Sequence, residues 1–289
     1  MKSYPVWQRA IIHLFLIALA VACIIPLLLV LSASFSDEAA IGKYGYTLLP
    51  KAFSTIAYQY ILSDPTQIVT AYGITIFVTA VGTIVSLLLS SCMAYVLSRS
   101  DFAYRNKFSF FIYFTMLFNG GLVPSYMLVT QVLDLKNSVW ALILPYVIVP
   151  WFVLLLRTYF ADIPESLIES AKLEGAGEFR ILFTIILPLS LPAIATVGLF
   201  IILMYWNDWY LALLYVDEGK KFPLQYLLYN IMQNLSVIKA NPVPGMAVRL
   251  PGENTRMAIA VLATGPILFA FVFVQRYFIA GLKVGAIKG

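Results

Sequence analysis

The chain has 289 residues, of which 61% are apolar and 11% charged, against roughly 25% charged in an ordinary soluble domain. A water-soluble fold of this length has too little interior to hide so much apolar surface, which points to lipid as the solvent. The net charge of +5 is modest. No Lys/Arg cluster interleaved with aromatics is present, which argues against a nucleic-acid surface.

Apolar stretches of about 20 residues cross a bilayer as helices, because a helix satisfies its own backbone in hydrocarbon. Six spans are expected, over about 11–32, 72–97, 108–130, 138–157, 189–214 and 257–279. The first follows Lys2 and Arg9 and ends in the small residues Ser32-Ala33-Ser34, as a signal peptide would. Its apolar run exceeds the roughly 7–15 residues usual there, so it is read as a retained span. The second carries Thr79, Thr83, Ser86, Ser90 and Ala94 at three- and four-residue steps, a small-residue stripe that lets helices pack closely. Gly120-Gly121 with Pro124 in the third, and Gly265-Pro266 in the sixth, are expected to loosen or kink those helices.

Basic residues orient the chain. Lys2 and Arg9, then Arg99, Arg105 and Lys107, then Arg276, Lys283 and Lys288 all fall on one side of a six-span chain. The positive-inside rule makes that side, and both termini, cytoplasmic. Lys172 and Arg180, in the connection 158–188, join it. Lys220, Lys221, Lys239, Arg249 and Arg256 then lie outside, in a loop over about 215–256. Long loops translocate largely regardless of charge.

Cys23 and Cys92 sit within apolar runs as small hydrophobes, and no disulfide is expected between them. With His13 the only histidine, no histidine metal cluster can form. No GxxxxGK[ST], HExxH or GxSxG pattern occurs, and the GxG of Gly175 and Gly177 lacks the third glycine of a dinucleotide fingerprint. The expectation is no catalytic residue, no metal and no cofactor in this chain. Any ATP is bound elsewhere.

The connection after the fourth span reads as a helix-turn-helix over about 162–187. Asp162 and Glu165 have the spacing of a capping box, and Pro164 suits a first turn. Leu167, Ile168 and Ala171 give the first helix an apolar face, Gly175 and Gly177 permit the reversal, and a second piece runs from Glu178 towards Pro188. Read from the residues alone, this is equally an amphipathic surface helix that caps the bundle.

Glu169-Ser170-Ala171, Gly175 four residues on, then Ile185, Leu187 and Pro188 resemble the EAA loop of ABC importer permeases, with Ser170 in place of the middle alanine. Phe118-Asn-Gly-Gly-Leu-Val-Pro-Ser-Tyr, Tyr205-Trp-Asn-Asp-Trp and the stretch from Gln275 to Gly289 are similar to MalG-like carbohydrate-uptake permeases. Among these the chain looks most like the LplC/YtcP-type branch for polysaccharides and complex oligosaccharides. The resemblance implies an all-α integral membrane protein of the type I ABC importer fold. It would have six transmembrane helices and a cytoplasmic EAA-type coupling helix-turn-helix. Residues 1–68 would form an N-terminal transmembrane helix and outer loop, and 69–289 the permease core.

The same resemblance implies a second homologous permease, two ABC ATPase subunits that bind ATP and Mg, an extracytoplasmic solute-binding (lipo)protein and an oligosaccharide cargo. Glu169, Ser170, Ala171, Gly175 and Gly177 would couple to an ATPase, with Glu169 meeting a basic residue in its cleft. Tyr205, Trp206, Asn207 and Asp208 are candidates for the solute pathway, since aromatic faces stack on sugar rings and Asn and Asp bond hydroxyls. The alternative for this cluster is an interfacial aromatic belt, favoured for Trp209 and Tyr210. In the outer loop, Asn241, Pro242, Pro244 and Gly245 are expected to meet the binding protein. Two other functions stay open: import of a non-sugar solute, and secondary transport driven by an ion gradient. The second wants ionisable residues at mid-membrane and inverted repeats. Neither is evident.

Overall fold

A computed structural model describes residues 6–240 and 252–286, and among these every regular element is helical. In chain order they are α1 (Val6–Ser34), α2 (Glu38–Tyr44), α3 (Ile56–Ile61), α4 (Pro65–Ser98), α5 (Arg105–Leu117), α6 (Leu122–Met127) and α7 (Pro150–Ala161). Then come α8 (Glu165–Leu173), α9 (Glu178–Ile181), α10 (Leu187–Leu189), α11 (Leu191–Trp206), α12 (Tyr210–Tyr215), α13 (Leu224–Ala240) and α14 (Glu253–Ala286). Short π and 3₁₀ turns join several of them, including Leu128–Val132 after α6 and Leu182–Ile186 after α9.

Two unbroken helices are long and apolar enough to cross a membrane, Trp7–Ser34 and Pro65–Ser98. Three further apolar stretches are bent pairs: Arg105–Leu117 with Leu122–Val132 at 108°, Val139–Tyr146 with Pro150–Ala161 at 48°, and Glu178–Leu189 with Leu191–Trp206 at 86°. The first bend follows from Gly120-Gly121, as expected, with Gly121 at φ +86, a conformation that side chains with a Cβ resist. The other two lie before Pro150 and around Pro192, where a missing N–H interrupts the helical ladder. The fourth and fifth runs are therefore not straight helices. The fifth also ends early, at Trp206, before the separate α12. By contrast α14, which contains the sixth apolar run, is continuous in its helical assignment past Gly265-Pro266.

Two compact units divide the chain. One comprises the described residues of 1–65 and 228–266, the other those of 66–227 and 267–289. In the first, α1 leaves nearly all its side chains exposed from Trp7 to Leu28 and becomes buried only at Ser32, Ala33 and Ser34. Phe35 stacks on Phe53 and Tyr58, and the Glu38 carboxylate accepts the N–H groups of Glu253 and Asn254 at 2.9 and 3.2 Å. A carboxylate there satisfies two orphan donors and opposes the positive end of the helix dipole. It explains why α14 begins at Glu253.

In the second unit α4 is the central strut. Of the expected small-residue stripe, Thr79, Ser86, Ser90 and Ala94 are buried and Thr83 is half-buried, and Thr75 is buried as well. At Gly82 an added Cβ would lie 2.6 Å from the Tyr205 ring, so α4 and α11 approach through that glycine. The stretch 215–256, expected as an outer loop, holds the 17-residue helix α13. Leu224 and Leu227 at its start, in the second unit, and Leu228 and Leu235, in the first, are buried at helical spacing, on a helix shorter than the about 20 residues of a membrane span.

Candidate functional site

The α8–α9 corner departs from the expected capping box and keeps the expected turn. Asp162 closes α7 with helical dihedrals, and Pro164 precedes α8 without a side-chain cap. Glu165 is turned instead to the Ser100 hydroxyl, which donates to its carboxylate. The C-terminal end of α8 is a Schellman turn: the Gly175 N–H donates to Lys172 O at 3.0 Å, and Ala176 N–H to Ala171 O at 2.9 Å. Gly175 holds φ +82, whereas Gly177, at φ −74 and ψ 161, has an ordinary extended backbone. Only the first glycine is required by conformation.

Ile168 and Ala171 seat α8 on the unit, while Glu169 and Ser170 are exposed, Ser170 donating back to Ser166 O at 2.8 Å. Leu167, expected on the apolar face, is exposed. Leu173 is 90% and Phe179 77% exposed, on either side of the Gly175 turn. The sequence reading missed both, although two large apolar residues flanking a polar turn were a visible signal. The exposed corner thus offers the carboxylates of Glu169 and Glu174 and two apolar side chains on a short rigid element.

A charge network holds this corner to the end of α4. Arg99 forks onto Asp101 at 3.2 and 2.8 Å, Lys172 reaches Asp101 at 2.9 Å and Glu178 at 2.8 Å, and the Tyr95 hydroxyl donates to Glu178. The hydrogen bonds from Arg99 and Lys172 pull the Asp101 carboxyl down to about 2. Arg157 of α7 adds a bond from Nε to Leu97 O at 3.1 Å.

The second candidate cluster is divided by burial. Tyr205 is buried, donates to Ile143 O at 2.9 Å and packs against Gly82, and Trp206 is buried too. Asp208 accepts from the Tyr146 hydroxyl at 3.2 Å and from Leu211 N–H at 3.1 Å, so it caps the start of α12. Asn207 is the exposed member. It donates to Leu203 O at 2.8 Å, and its amide oxygen accepts from Gln225 at 3.5 Å. Asn241, Pro242, Pro244 and Gly245 lie outside the described residues.

Residues 90–284 match the family model described as binding-protein-dependent transport system inner membrane component. The chain is 41% identical over 280 residues to the polygalacturonan/rhamnogalacturonan transport system permease protein YtcP of Bacillus subtilis, covering 96% of this chain and 97% of that one. It is 37% identical to protein LplC of the same organism, covering 96% and 93%. Among solved structures it is similar to a bacterial ABC transporter involved in the import of the acidic polysaccharide alginate, with TM-score 0.78, 28% identity and coverage of 96% and 100%. Its helical architecture is the type I ABC importer permease fold. The chain belongs to the binding-protein-dependent transport system inner membrane component family.

Proposed function

We propose that the chain is a permease subunit of an ATP-driven importer that carries an oligosaccharide or polysaccharide fragment across the bacterial cell membrane. A second related permease completes the pathway, two ATPase subunits bind ATP and Mg below, and an extracytoplasmic binding protein delivers the solute. The relatives named for polygalacturonan, rhamnogalacturonan and alginate support the substrate class. Two unbroken apolar helices, three bent pairs each taken as one span, and the apolar run of α14 support six crossings, and the basic residues at the ends of the spans support both termini in the cytoplasm.

The observation that carries this reading is the α8–α9 corner. The exposed carboxylates of Glu169 and Glu174, two exposed apolar side chains and a glycine-locked turn suit insertion of α8 into a cleft of an ATPase. The network through Lys172 and Asp101 gives that helix a stiff connection to α4. When ATP closes the ATPases, the helices of the bundle would be carried between inward- and outward-open arrangements. Asn207 offers an exposed amide to a passing sugar hydroxyl, while Tyr205, Trp206 and Asp208 hold the frame around it. The stretch 215–256, with Asn241, Pro242, Pro244 and Gly245, is proposed to meet the binding protein.

Reconstitution with the partner permease, the ATPases and the binding protein tests the reading. ATP hydrolysis should rise when the binding protein carries a fragment of polygalacturonan, rhamnogalacturonan or alginate. Uptake that proceeds without ATP on an ion gradient would overturn it.

A further inference from the structure

Two helix breaks meet in the second unit. One is the gap 207–209 between α11 and α12; the other lies where Val139–Tyr146 bends by 48° into Pro150–Ala161. A continuous backbone ladder spans neither, so side chains hold the ends in place. Two hydrogen bonds with the same sequence offset join them: Tyr205 donates to Ile143 O at 2.9 Å, and Tyr146 to Asp208 Oδ1 at 3.2 Å. The rings of Tyr146 and Tyr205 meet edge-on with centroids 6.1 Å apart, and Tyr205 backs onto Gly82 of α4. Both breaks and α4 therefore share one joint.

The two bonds differ in what they hold. That of Tyr205 is buried and stays within the last turn of α11. That of Tyr146 reaches into the break itself. Asp208 divides its oxygens, Oδ2 accepting from Leu211 N–H at 3.1 Å within α12 and Oδ1 from Tyr146 on the other bent pair. A carboxylate acceptor makes such bonds roughly twice as strong as those between neutral groups. Beside Asp208 stands the exposed Asn207, whose N–H and side-chain Nδ2 both donate to Leu203 O, at 3.1 and 2.8 Å. Asn207 is thus moored to α11 on one side and, through Asp208 and Tyr146, to the turn 143–146 on the other. Its amide oxygen is the loosely held end, 3.5 Å from Gln225 Nε2. We propose that Tyr146 is a positioning residue for import: by holding Asp208 it fixes the break and presents the Asn207 amide oxygen to a hydroxyl of the passing sugar. This rests on the transport reading above and adds to it a residue that itself meets no solute. Without the Tyr146 hydroxyl the amide loosens, and solute slips back while ATP is hydrolysed.

The test measures solute imported per ATP hydrolysed, in vesicles holding the assembled complex and its binding protein, with a radiolabelled oligogalacturonate as probe. A misfolded fraction lowers uptake and hydrolysis together and leaves that ratio unchanged, so the ratio reports positioning and not stability. Tyr146→Phe keeps the ring and removes only the hydroxyl; it should lower the ratio about fivefold, as should Asn207→Ala. The double variant should be no lower than Asn207→Ala alone, because Tyr146 acts through that amide. Asp208→Asn can still accept from Leu211 N–H and donate to the Tyr146 oxygen, so it should stay near wild type. A normal ratio in Tyr146→Phe would overturn the proposal, and a lowered one in Asn207→Ala at the same time leaves the transport reading standing. A double variant about 25-fold below wild type, the product for independent residues, would overturn it too. Whatever the sugar, thermal unfolding of Tyr146→Phe, Asp208→Ala and their combination should be non-additive, and additivity there would also refute the proposal. Uptake by wild type that needs no ATP refutes the transport reading instead.

Discussion

The ammonium of Lys172 stands 2.9 Å from a carboxylate oxygen of Asp101, and this ion pair joins α8 to the turn that follows α4. Both side chains are partly exposed, so the pair contributes only about 0–1 kcal/mol to stability. Its consequence is positional. Lys172 also holds Glu178 beyond the Gly175 turn, so one side chain fixes both arms of the corner relative to α4.

Replacing Lys172 by Met should therefore leave thermal unfolding nearly unchanged and weaken the coupling of ATP hydrolysis to uptake. Asp101 gives a matching pH dependence. Its carboxyl is lowered from the usual 3.8 to about 2, so the stabilisation is complete above 3.8 and is lost as pH falls through 2. Coupling should show no titration from this group between pH 5 and 8. A wild-type transition in that window that disappears in Asp101→Asn would contradict the assignment.

Gly175 and Gly177 separate cleanly. Nothing lies within 4 Å of a Cβ built on either, so the difference is conformational and not steric. Gly175→Val forces a β-branched residue to φ +82 and should cost about 1–2 kcal/mol locally, with transport lost and membrane insertion kept. Gly175→Asn should be milder, since Asn tolerates the left-handed region, and Gly177→Ala should be close to neutral. Uptake assays at matched expression decide the order.

Much of the helical plan was legible because apolar runs of membrane length leave few alternatives. The bend at Gly120-Gly121 was legible as well, since the glycines sit in the break itself. The bends at Pro150 and Pro192 were less so, because proline is tolerated in membrane helices and only the neighbours decide how far the chain turns. Helix α13 was not legible as an apolar run, because its apolar residues recur at helical steps but are diluted by Gln225, Asn230, Gln233 and Asn234. At the corner, the turn at Gly175 could be read locally. The diversion of Glu165 to Ser100 could not, since that partner lies 65 residues away. Likewise the cap on α14 comes from Glu38, 215 residues before Glu253.

Tyr205 and Gly82 form a packing pair whose energetics can be measured. Gly82→Ala would put its Cβ 2.6 Å from the ring and should destabilise by about 1–3 kcal/mol through overpacking. Tyr205→Phe should cost no more than about 1 kcal/mol, since the Ile143 carbonyl loses one of its two donors and keeps the Tyr146 N–H. In Tyr205→Ala the Gly82→Ala change should become far less costly. A double-mutant cycle on thermal unfolding in detergent would reveal that coupling, and simple additivity would refute it.

Asn137 organises the segment that leads into α13, a role the sequence reading did not assign. It adopts φ +59, and its side-chain oxygen accepts from the N–H groups of Asp217 and Glu218 at 2.6 and 3.3 Å. Its own N–H donates to Tyr215 O at 2.8 Å, and its carbonyl accepts from Lys221 Nζ at 2.8 Å. Lys136 adds an ion pair to Asp217 at 2.8 Å. Asn suits the position twice over, since it tolerates the left-handed backbone and its short amide reaches two donors. Asn137→Gly keeps the backbone and deletes the side-chain acceptor, while Asn137→Ala loses both. Asn137→Ala should therefore be the worse, with a total cost of about 2 kcal/mol, and Asn137→Gly should lie between it and wild type. Trypsin cleavage after Lys220 and Lys221 reports the loosening directly, because both sites lie in the short 3₁₀ turn that Asn137 restrains. Cleavage should quicken in the order wild type, Gly, Ala. Equal rates in all three would mean that the segment is held by the Lys136–Asp217 pair instead.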